Sequence, residues 1–154
     1  REPEEPLRAV PLHRLRALHA GGPLRFTPGL QADWFQPEAH LRLATAEWSV
    51  LEGSDRTGLR LSGPPLPRSV WDELATEGAP LGAIQVPGEG GPIVLFVDHQ
   101  TTGGYPRIGN VVAVDLARLG QLRPRDTLRL EPVGFEEARA LLLRQEEAID
   151  DLLG

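Results

Sequence analysis

The centre of the sequence contains the run Gly82-Ala83-Ile84-Gln85-Val86-Pro87, the turn residues Gly88-Glu89-Gly90-Gly91, and the run Pro92-Ile93-Val94-Leu95-Phe96-Val97. Two short apolar runs separated by glycines are typical of a β-hairpin. The second run is continuously apolar, which predicts that both faces of its strand are buried. We therefore expect a β-sheet at the centre of the fold.

Five further segments carry strand signals, namely apolar residues bounded by turn formers. They are 24–26, 47–50, 58–61, 111–114 and 127–130. Many short strands of this kind predict a mainly β domain, built as a barrel or a curled sheet.

Helix signals occur at 37–44, 115–119 and 135–153. Pro37 suits the first turn of a helix, and Asp115 suits an N-cap. The last segment carries an apolar stripe at helical spacing, formed by Ala138, Leu142, Ile149 and Leu153. We expect this C-terminal helix to cover one face of the sheet.

Composition excludes several classes of function. The 154 residues are 40% hydrophobic and carry a net charge of −6, which argues against nucleic-acid binding. No apolar run is long enough to span a bilayer, so we expect a cytoplasmic protein without membrane contact. The 16 basic residues are all Arg, and cysteine is absent. This chain therefore has no P-loop lysine, no biotinylated lysine and no thiolate metal ligand.

The most unusual polar stretch is Asp98-His99-Gln100-Thr101-Thr102-Gly103-Gly104-Tyr105-Pro106. Adjacent glycines let backbone N–H groups converge on an anion or a carbonyl oxygen. Tyr105 is the only tyrosine in the sequence. The candidate binding residues here are Gln100, Thr101, Thr102, Gly103 and Gly104. The alternative is a connection rich in turn formers without a chemical role.

Two other places offer polar groups. In Ser54-Asp55-Arg56-Thr57-Gly58, the Asp and Arg can orient one another, and the Arg can bind a carboxylate through two hydrogen bonds. Alternatively, this is a solvated hairpin turn. Gln85 lies among apolar neighbours, where a buried amide needs partners, so it binds a substrate amide or anchors a loop. The histidines show no metal-ligand spacing, and we expect no metal site.

Together these motifs resemble the allophanate hydrolase subunit 2 family, also called the biotin-dependent carboxyltransferase family. The matching stretches are 31–35, 54–61, 63–66, 82–87, 98–106 and 115–124. The resemblance runs from Leu24 to about Leu142 and covers the family's C-terminal half. Two positions depart from the family pattern: Arg107 stands where Lys is frequent, and Arg125 stands where Gly often follows Arg-Pro.

The resemblance implies a cyclophilin-like β-barrel over residues 24–154, preceded by a linker or leader over residues 1–23. It also favours a functional role for the polar stretches. On this interpretation Tyr105, Asp55 and Arg56 are catalytic. The residues that would bind the substrate are Gln85, Gln100, Thr101, Thr102, Gly103 and Gly104.

The function implied is that of a subunit domain in an ATP-dependent amide-metabolising complex, first of all 5-oxoprolinase, which converts 5-oxoproline to glutamate. One alternative is carboxyl transfer from carboxybiotin, held in trans, to urea or a related amide. Another is a non-catalytic partner of a kinase-inhibitor protein. ATP would bind in the complex. The expected partners are the family's N-terminal half and a protein or domain similar to allophanate hydrolase subunit 1, without which we expect no activity.

Overall fold

The computed structural model describes residues 21–153, so residues 1–20 of the predicted leader lie outside the described residues. The strands are β1 (Leu24–Pro28), β2 (Trp48–Val50), β3 (Gly58–Ser62), β4 (Glu77–Gly78), β5 (Ala83–Gln85), β6 (Ile93–Leu95), β7 (Thr102–Gly103), β8 (Arg107–Val111), β9 (Thr127–Leu128) and β10 (Leu130–Pro132). The helices are α1 (Pro37–Thr45), α2 (Leu116–Leu119) and α3 (Phe135–Leu153), with 3₁₀ turns at Ala32–Trp34 and Ala113–Asp115.

Eight of the strands form one sheet in the order β10-β1-β8-β5-β6-β3-β2-β9. The two outer strands, β9 and β10, follow each other in the chain and are separated only by Arg129. The two ends of the sheet therefore lie next to one another, and the sheet curls into a nearly closed barrel. The remaining strands, β4 and β7, form a separate two-stranded sheet. The fold is mainly β, as the sequence predicts.

The barrel interior is filled by apolar side chains from alternate strand positions. In β3, Leu59 and Leu61 are buried, whereas Arg60 between them is exposed. The fully buried Trp48 donates a hydrogen bond from its indole nitrogen to the carbonyl oxygen of Leu43 in α1, at 3.2 Å. Helix α1 thus closes one end of the core through its buried residues Ala39 and Leu43.

The predicted central hairpin is confirmed, because β5 and β6 pair antiparallel with Ile84 opposite Val94. The prediction that both faces of β6 are buried is wrong. Only Val94 faces the core, and Ile93 and Leu95 are half-buried. Their face of the sheet forms the floor of an open cleft instead.

Two predicted strands have different bounds. The strand predicted at 111–114 is Arg107–Val111, and Val112 and Val114 leave the sheet to pack with Val133. The segment 127–130 divides at Arg129 into β9, which pairs with β2, and β10, which pairs parallel with β1. Because of this division, one continuous segment supplies the two outer strands of the sheet.

Asp115 precedes α2 but makes no N-cap hydrogen bond with its side chain. Its buried carboxylate instead accepts hydrogen bonds from the backbone N–H of Arg25 at 2.8 Å and from the Arg25 guanidinium at 2.9 and 2.7 Å. Arg118 adds a contact at 3.4 Å. The carboxylate therefore joins β1 to the segment before α2.

Helix α3 has the predicted bounds, but the predicted stripe is only partly buried. Ala138 and Leu141 pack against the cluster formed by Val112, Val114 and Val133, whereas Leu142 and Ile149 are exposed. The face that packs on the barrel is therefore rotated from the predicted stripe. Within residues 21–153, no helix combines the length and the apolar character that crossing a membrane requires.

Candidate functional site

A row of side chains crosses three neighbouring strands on the outer face of the barrel. Arg60 of β3 lies opposite Ile93 of β6, and Ile93 lies opposite Gln85 of β5. The flanking positions Leu59 and Val94 face the core, so the row points the other way. Arg60, Ile93 and Gln85 therefore line one outward-facing surface.

The small sheet and the loop after it lie over this surface. We call residues 77–78 and 102–105 the flap. Between the flap and the barrel is a cleft of about 270 Å³. Its lining residues are Gly53, Asp55, Thr57, Gly58, Arg60, Gln85, Ile93, Leu95, Gln100, Thr102, Gly103, Gly104 and Tyr105. Tertiary folding thus brings the 53–60 turn, the central hairpin and the polar loop to one place.

Gln85 lies at the base of the cleft. It is 6% exposed, and in the described part of the chain its side-chain amide has no hydrogen-bond partner. The residue as a whole is buried, but its amide nitrogen and oxygen are open to the cleft, because Arg68 Nε is the one fully buried side-chain nitrogen or oxygen without a partner among the described residues. Gln85 therefore presents a donor and an acceptor to whatever enters the cleft.

Asp55 lies in the turn between β2 and β3 and lines the cleft. Its Oδ1 accepts hydrogen bonds from the hydroxyl of Thr57 at 2.6 Å and from the Thr57 N–H at 2.8 Å. These bonds, the hydroxyl's first, hold the pKa of Asp55 below its ordinary value, and the charge of Arg60 acts in the same direction. Asp55 is therefore a carboxylate at neutral pH.

Arg56 and Thr101 are not among the residues that line the cleft. The Arg56 side chain is 74% exposed, and its guanidinium donates to Asp98 at 2.6 Å, which lowers the pKa of Asp98. The carbonyl oxygen of Thr101 accepts a hydrogen bond from the Ala79 N–H at 2.9 Å. Of the predicted site residues, the cleft therefore brings together Asp55, Gln85, Gln100, Thr102, Gly103, Gly104 and Tyr105.

Arg60 is a cleft residue that the sequence interpretation missed. Its guanidinium has neither an ion pair nor a hydrogen-bond partner within residues 21–153. The signal was the alternation in Gly58-Leu59-Arg60-Leu61-Ser62, which places Arg60 on the face of β3 that points away from the buried leucines. Arg60 is thus a positive charge available to a ligand.

Tyr105 is half-exposed at the rim of the cleft. It also borders a second groove of about 630 Å³, and the two cavities share Arg60, Ile93 and Tyr105. Among the described residues, no group of three or more acidic or histidine side chains is arranged to hold a metal ion. The arrangement is instead a polar cleft suited to a small ligand with amide and anionic groups.

These features define a β-barrel domain with an external ligand cleft beneath a glycine-rich flap. The sequence profile of the family described as carboxyltransferase domain, subdomain A and B, matches residues 1–132. The chain belongs to this family. The match includes the predicted leader and ends before α3.

Two bacterial relatives are similar along most of this chain. The C subunit of the 5-oxoprolinase of Haemophilus influenzae is 35% identical over 129 residues, which are 84% of this chain and 42% of that protein. The corresponding 5-oxoprolinase protein of Escherichia coli is 35% identical over 127 residues, 82% of this chain and 40% of that protein. The chain therefore spans about two fifths of the length of these relatives.

The fold also occurs within a much larger enzyme. The crystal structure of the urea amidolyase of K. lactis superposes with a TM-score of 0.77 and 28% identity, over 84% of this chain and 8% of that one. The domain is thus similar both to a part of a named subunit and to a part of a multidomain chain.

Proposed function

We propose that this chain is part of a subunit of an ATP-dependent amide-metabolising complex that opens 5-oxoproline to glutamate. The observation that carries the proposal is the Gln85 carboxamide, which opens into a cleft that also holds Asp55 and Arg60 and makes no hydrogen bond to the described residues. The similarity to a component of bacterial 5-oxoprolinases supports the same substrate.

The cleft groups match the chemistry of a cyclic amide with a carboxylate. A lactam presents its N–H and its C=O on the same side, and the Gln85 carboxamide can accept from the first and donate to the second. Arg60 can pair with the carboxylate of the substrate. Urea has no carboxylate, so this pairing favours 5-oxoproline.

We propose that Asp55 and Tyr105 are the residues nearest to the reacting atoms. Asp55 is ionised and can accept a proton or orient water, and the Tyr105 hydroxyl can donate to a developing oxyanion. The neighbouring Gln100, Thr102, Gly103 and Gly104 would complete the binding surface. Arg56, expected to be catalytic, and Thr101, expected to bind substrate, would act by holding the turn and the loop, since neither lines the cleft.

In this proposal, other protein parts supply what the reaction needs beyond the groups of this cleft. The chain spans two fifths of its bacterial relatives, so an N-terminal half and a protein similar to allophanate hydrolase subunit 1 are proposed to complete the site. ATP would bind in that complex, at a site without a P-loop lysine from this chain. We also propose that the complex is bacterial and cytoplasmic, because the proposed reaction consumes ATP.

A second candidate is carboxyl transfer to urea or a related amide. The structural similarity to the K. lactis urea amidolyase supports it. Carboxybiotin would have to arrive on another domain, because this chain has no lysine to carry it. Gln85 would then bind the urea amide, and Arg60 the carboxyl group being transferred.

The test is an ATP-hydrolysis assay on this chain alone, and then on the chain with both proposed partners, the N-terminal half and the protein similar to allophanate hydrolase subunit 1. We expect 5-oxoproline-dependent hydrolysis only in the complete complex, and none that depends on urea. Transfer of carboxyl groups from carboxybiotin to urea would instead establish the second candidate. A complete complex that turns over neither substrate would contradict both proposals and leave a binding role.

A further inference from the structure

An ion pair between a buried arginine and a half-buried glutamate connects the flap to the barrel beneath it. The Arg107 side chain in β8 is only 6% exposed, and its guanidinium pairs with the carboxylate of Glu77 in the flap. It also donates to the carbonyl oxygen of Gly78 at 3.0 Å. One guanidinium thus contacts both residues of β4.

Gln31 completes this network from the 3₁₀ turn after β1. Its side-chain oxygen accepts from the Arg107 backbone N–H at 3.2 Å and from the guanidinium at 3.4 Å. Its side-chain nitrogen donates to Glu77 at 2.8 Å. Both the oxygen and the nitrogen of the Gln31 amide are therefore used to orient the pair of Arg107 and Glu77.

Two backbone hydrogen bonds also hold the flap, from the Ala79 N–H to the Thr101 carbonyl oxygen at 2.9 Å and from the Val86 N–H to the Pro106 carbonyl oxygen at 3.0 Å, but its own pairing is short. Strands β4 and β7 have two residues each, with Glu77 opposite Gly103 and Gly78 opposite Thr102. A two-stranded sheet of this size is not stable by itself. Since removal of the partner of a buried charge leaves that charge uncompensated, loss of Glu77 would release the flap.

The same network lies beside the base of the cleft. Arg107 is opposite Gln85 in the pairing of β8 with β5, and Gly103 of the flap packs against the Gln85 amide. The ion pair therefore lies next to the contact between the flap and Gln85.

We propose that Arg107, Glu77 and Gln31 form a latch that holds the flap over Gln85. Arg107 is then a positioning residue, because it acts on the cleft through the flap. The consequence for turnover rests on the proposed function, whereas the consequence for flap motion does not.

The first experiment measures hydrogen exchange of backbone amides in Glu77→Gln, in the complete chain. We expect residues 101–105 to exchange roughly tenfold faster or more than in the wild type, with barrel residues 93–97 unchanged. Glu38→Gln is the matched control, because it removes the exposed ion pair with Arg42 on α1. Unchanged exchange at 101–105 in folded Glu77→Gln would overturn the latch.

A second pair of variants tests the guanidinium itself. Arg107→Lys keeps the charge but loses the planar fork that reaches Glu77, Gly78 and Gln31 together. We expect exchange at 101–105 in the order wild type, Arg107→Lys, Arg107→Gln, from slowest to fastest. Equal rates in the two variants would contradict a latch built on charge. If Arg107→Gln does not fold, the partly exposed position of Glu77 keeps the first experiment decisive.

The third readout separates the latch from the proposed reaction. In the complete complex, we expect Glu77→Gln to raise KM for 5-oxoproline by roughly tenfold while kcat changes by less than about threefold. A faster-opening flap with unchanged KM would overturn the positioning role. If the wild-type complex does not hydrolyse ATP with 5-oxoproline, the proposed function fails, and the exchange rates still decide whether the latch exists.

Discussion

Gly103 packs so closely on Gln85 that a methyl group at position 103 would lie 2.7 Å from the amide nitrogen of Gln85. Such a distance is shorter than any unstrained carbon contact, so one group has to move. The Gln85 side chain is flexible, whereas the flap backbone is held by β4. The flap glycine and the Gln85 amide are therefore fitted to each other.

Gly103→Ala is expected to displace the Gln85 amide and to lower substrate-dependent turnover of the complete complex by roughly ten- to a hundredfold. The matched control is Gly134→Ala, outside the cleft, whose added methyl group would meet no atom of the described residues within 4 Å. Steady-state kinetics on both variants check this expectation. Equal activities would show that the position of the Gln85 amide is unimportant.

Arg60→Ala is expected to weaken substrate binding by about tenfold, because it removes from the cleft a cation that has no ion pair within residues 21–153. Arg56→Ala is the control, since that guanidinium is exposed and occupied by Asp98. The measurement is KM for 5-oxoproline in the complete complex. A larger effect at Arg56 would restore the catalytic role that the sequence interpretation gave it.

Tyr105→Phe is expected to lower kcat by about tenfold and to leave the melting temperature unchanged, because only a half-exposed hydroxyl is lost. The ring remains at the rim between the two cavities. Kinetics and thermal unfolding of the same preparation check both parts. An unchanged kcat would mean that Tyr105 acts only through its ring.

Asp115→Asn is expected to cost about 1–3 kcal/mol of the free energy of unfolding at pH 7, because it removes the buried charge that accepts hydrogen bonds from the partly exposed Arg25. Burial alone would raise the pKa of Asp115, but the hydrogen bonds and charges of Arg25 and Arg118 outweigh it and hold this pKa below its ordinary value. The carboxylate therefore contributes stability above the unfolded-state pKa of about 4. That contribution is lost as pH falls through the lower, folded-state pKa.

Denaturant unfolding from pH 7 down to acid pH checks this linkage. The decline in stability below about pH 4 should be shallower in Asp115→Asn than in the wild type. Asp72→Asn is the control, because Asp72 is exposed and has no ion pair within residues 21–153. Parallel curves for wild type and Asp115→Asn would exclude Asp115 as the source.

Arg125→Gly is expected to stabilise the domain by about 0.5–1 kcal/mol. Arg125 has a φ of 76°, in the left-handed region where a side chain is unfavourable. Its ion pair with Glu52 is highly exposed and contributes little. Arg123→Gly, outside this region, should instead destabilise. Free energies of unfolding of both variants check the difference, and a loss at position 125 would contradict the strain.

The left-handed backbone at Arg125 gives a physical reason for the glycine that the family resemblance implies at this position. The resemblance implies glycine after Arg-Pro, and a φ of 76° favours glycine at this position. The family resemblance identified the position, but only the backbone angle explains the preference.

Local patterns were sufficient to predict the central hairpin, helix α1 and the bounds of α3. In each case the signal was short-range: glycines between two apolar runs, a first-turn proline, or helical spacing. The same reasoning failed at 111–114, because a valine run looked more like a strand than Arg107-Ile108-Gly109-Asn110-Val111. Arg107 is buried in that strand only because Glu77, Gly78 and Gln31 satisfy its guanidinium.

The sequence by itself determined which residues have the chemistry for a site: an acidic turn, an amide among apolar neighbours and a polar loop with two glycines. Tertiary structure decided which of them meet. Barrel closure placed Asp55, Gln85 and Tyr105 around one cleft, while Arg56 was turned toward Asp98. It also brought Arg60 into the cleft and Arg107 beneath the flap. The physical reason is that strand pairing is set by contacts between residues far apart in the chain, which no local pattern specifies.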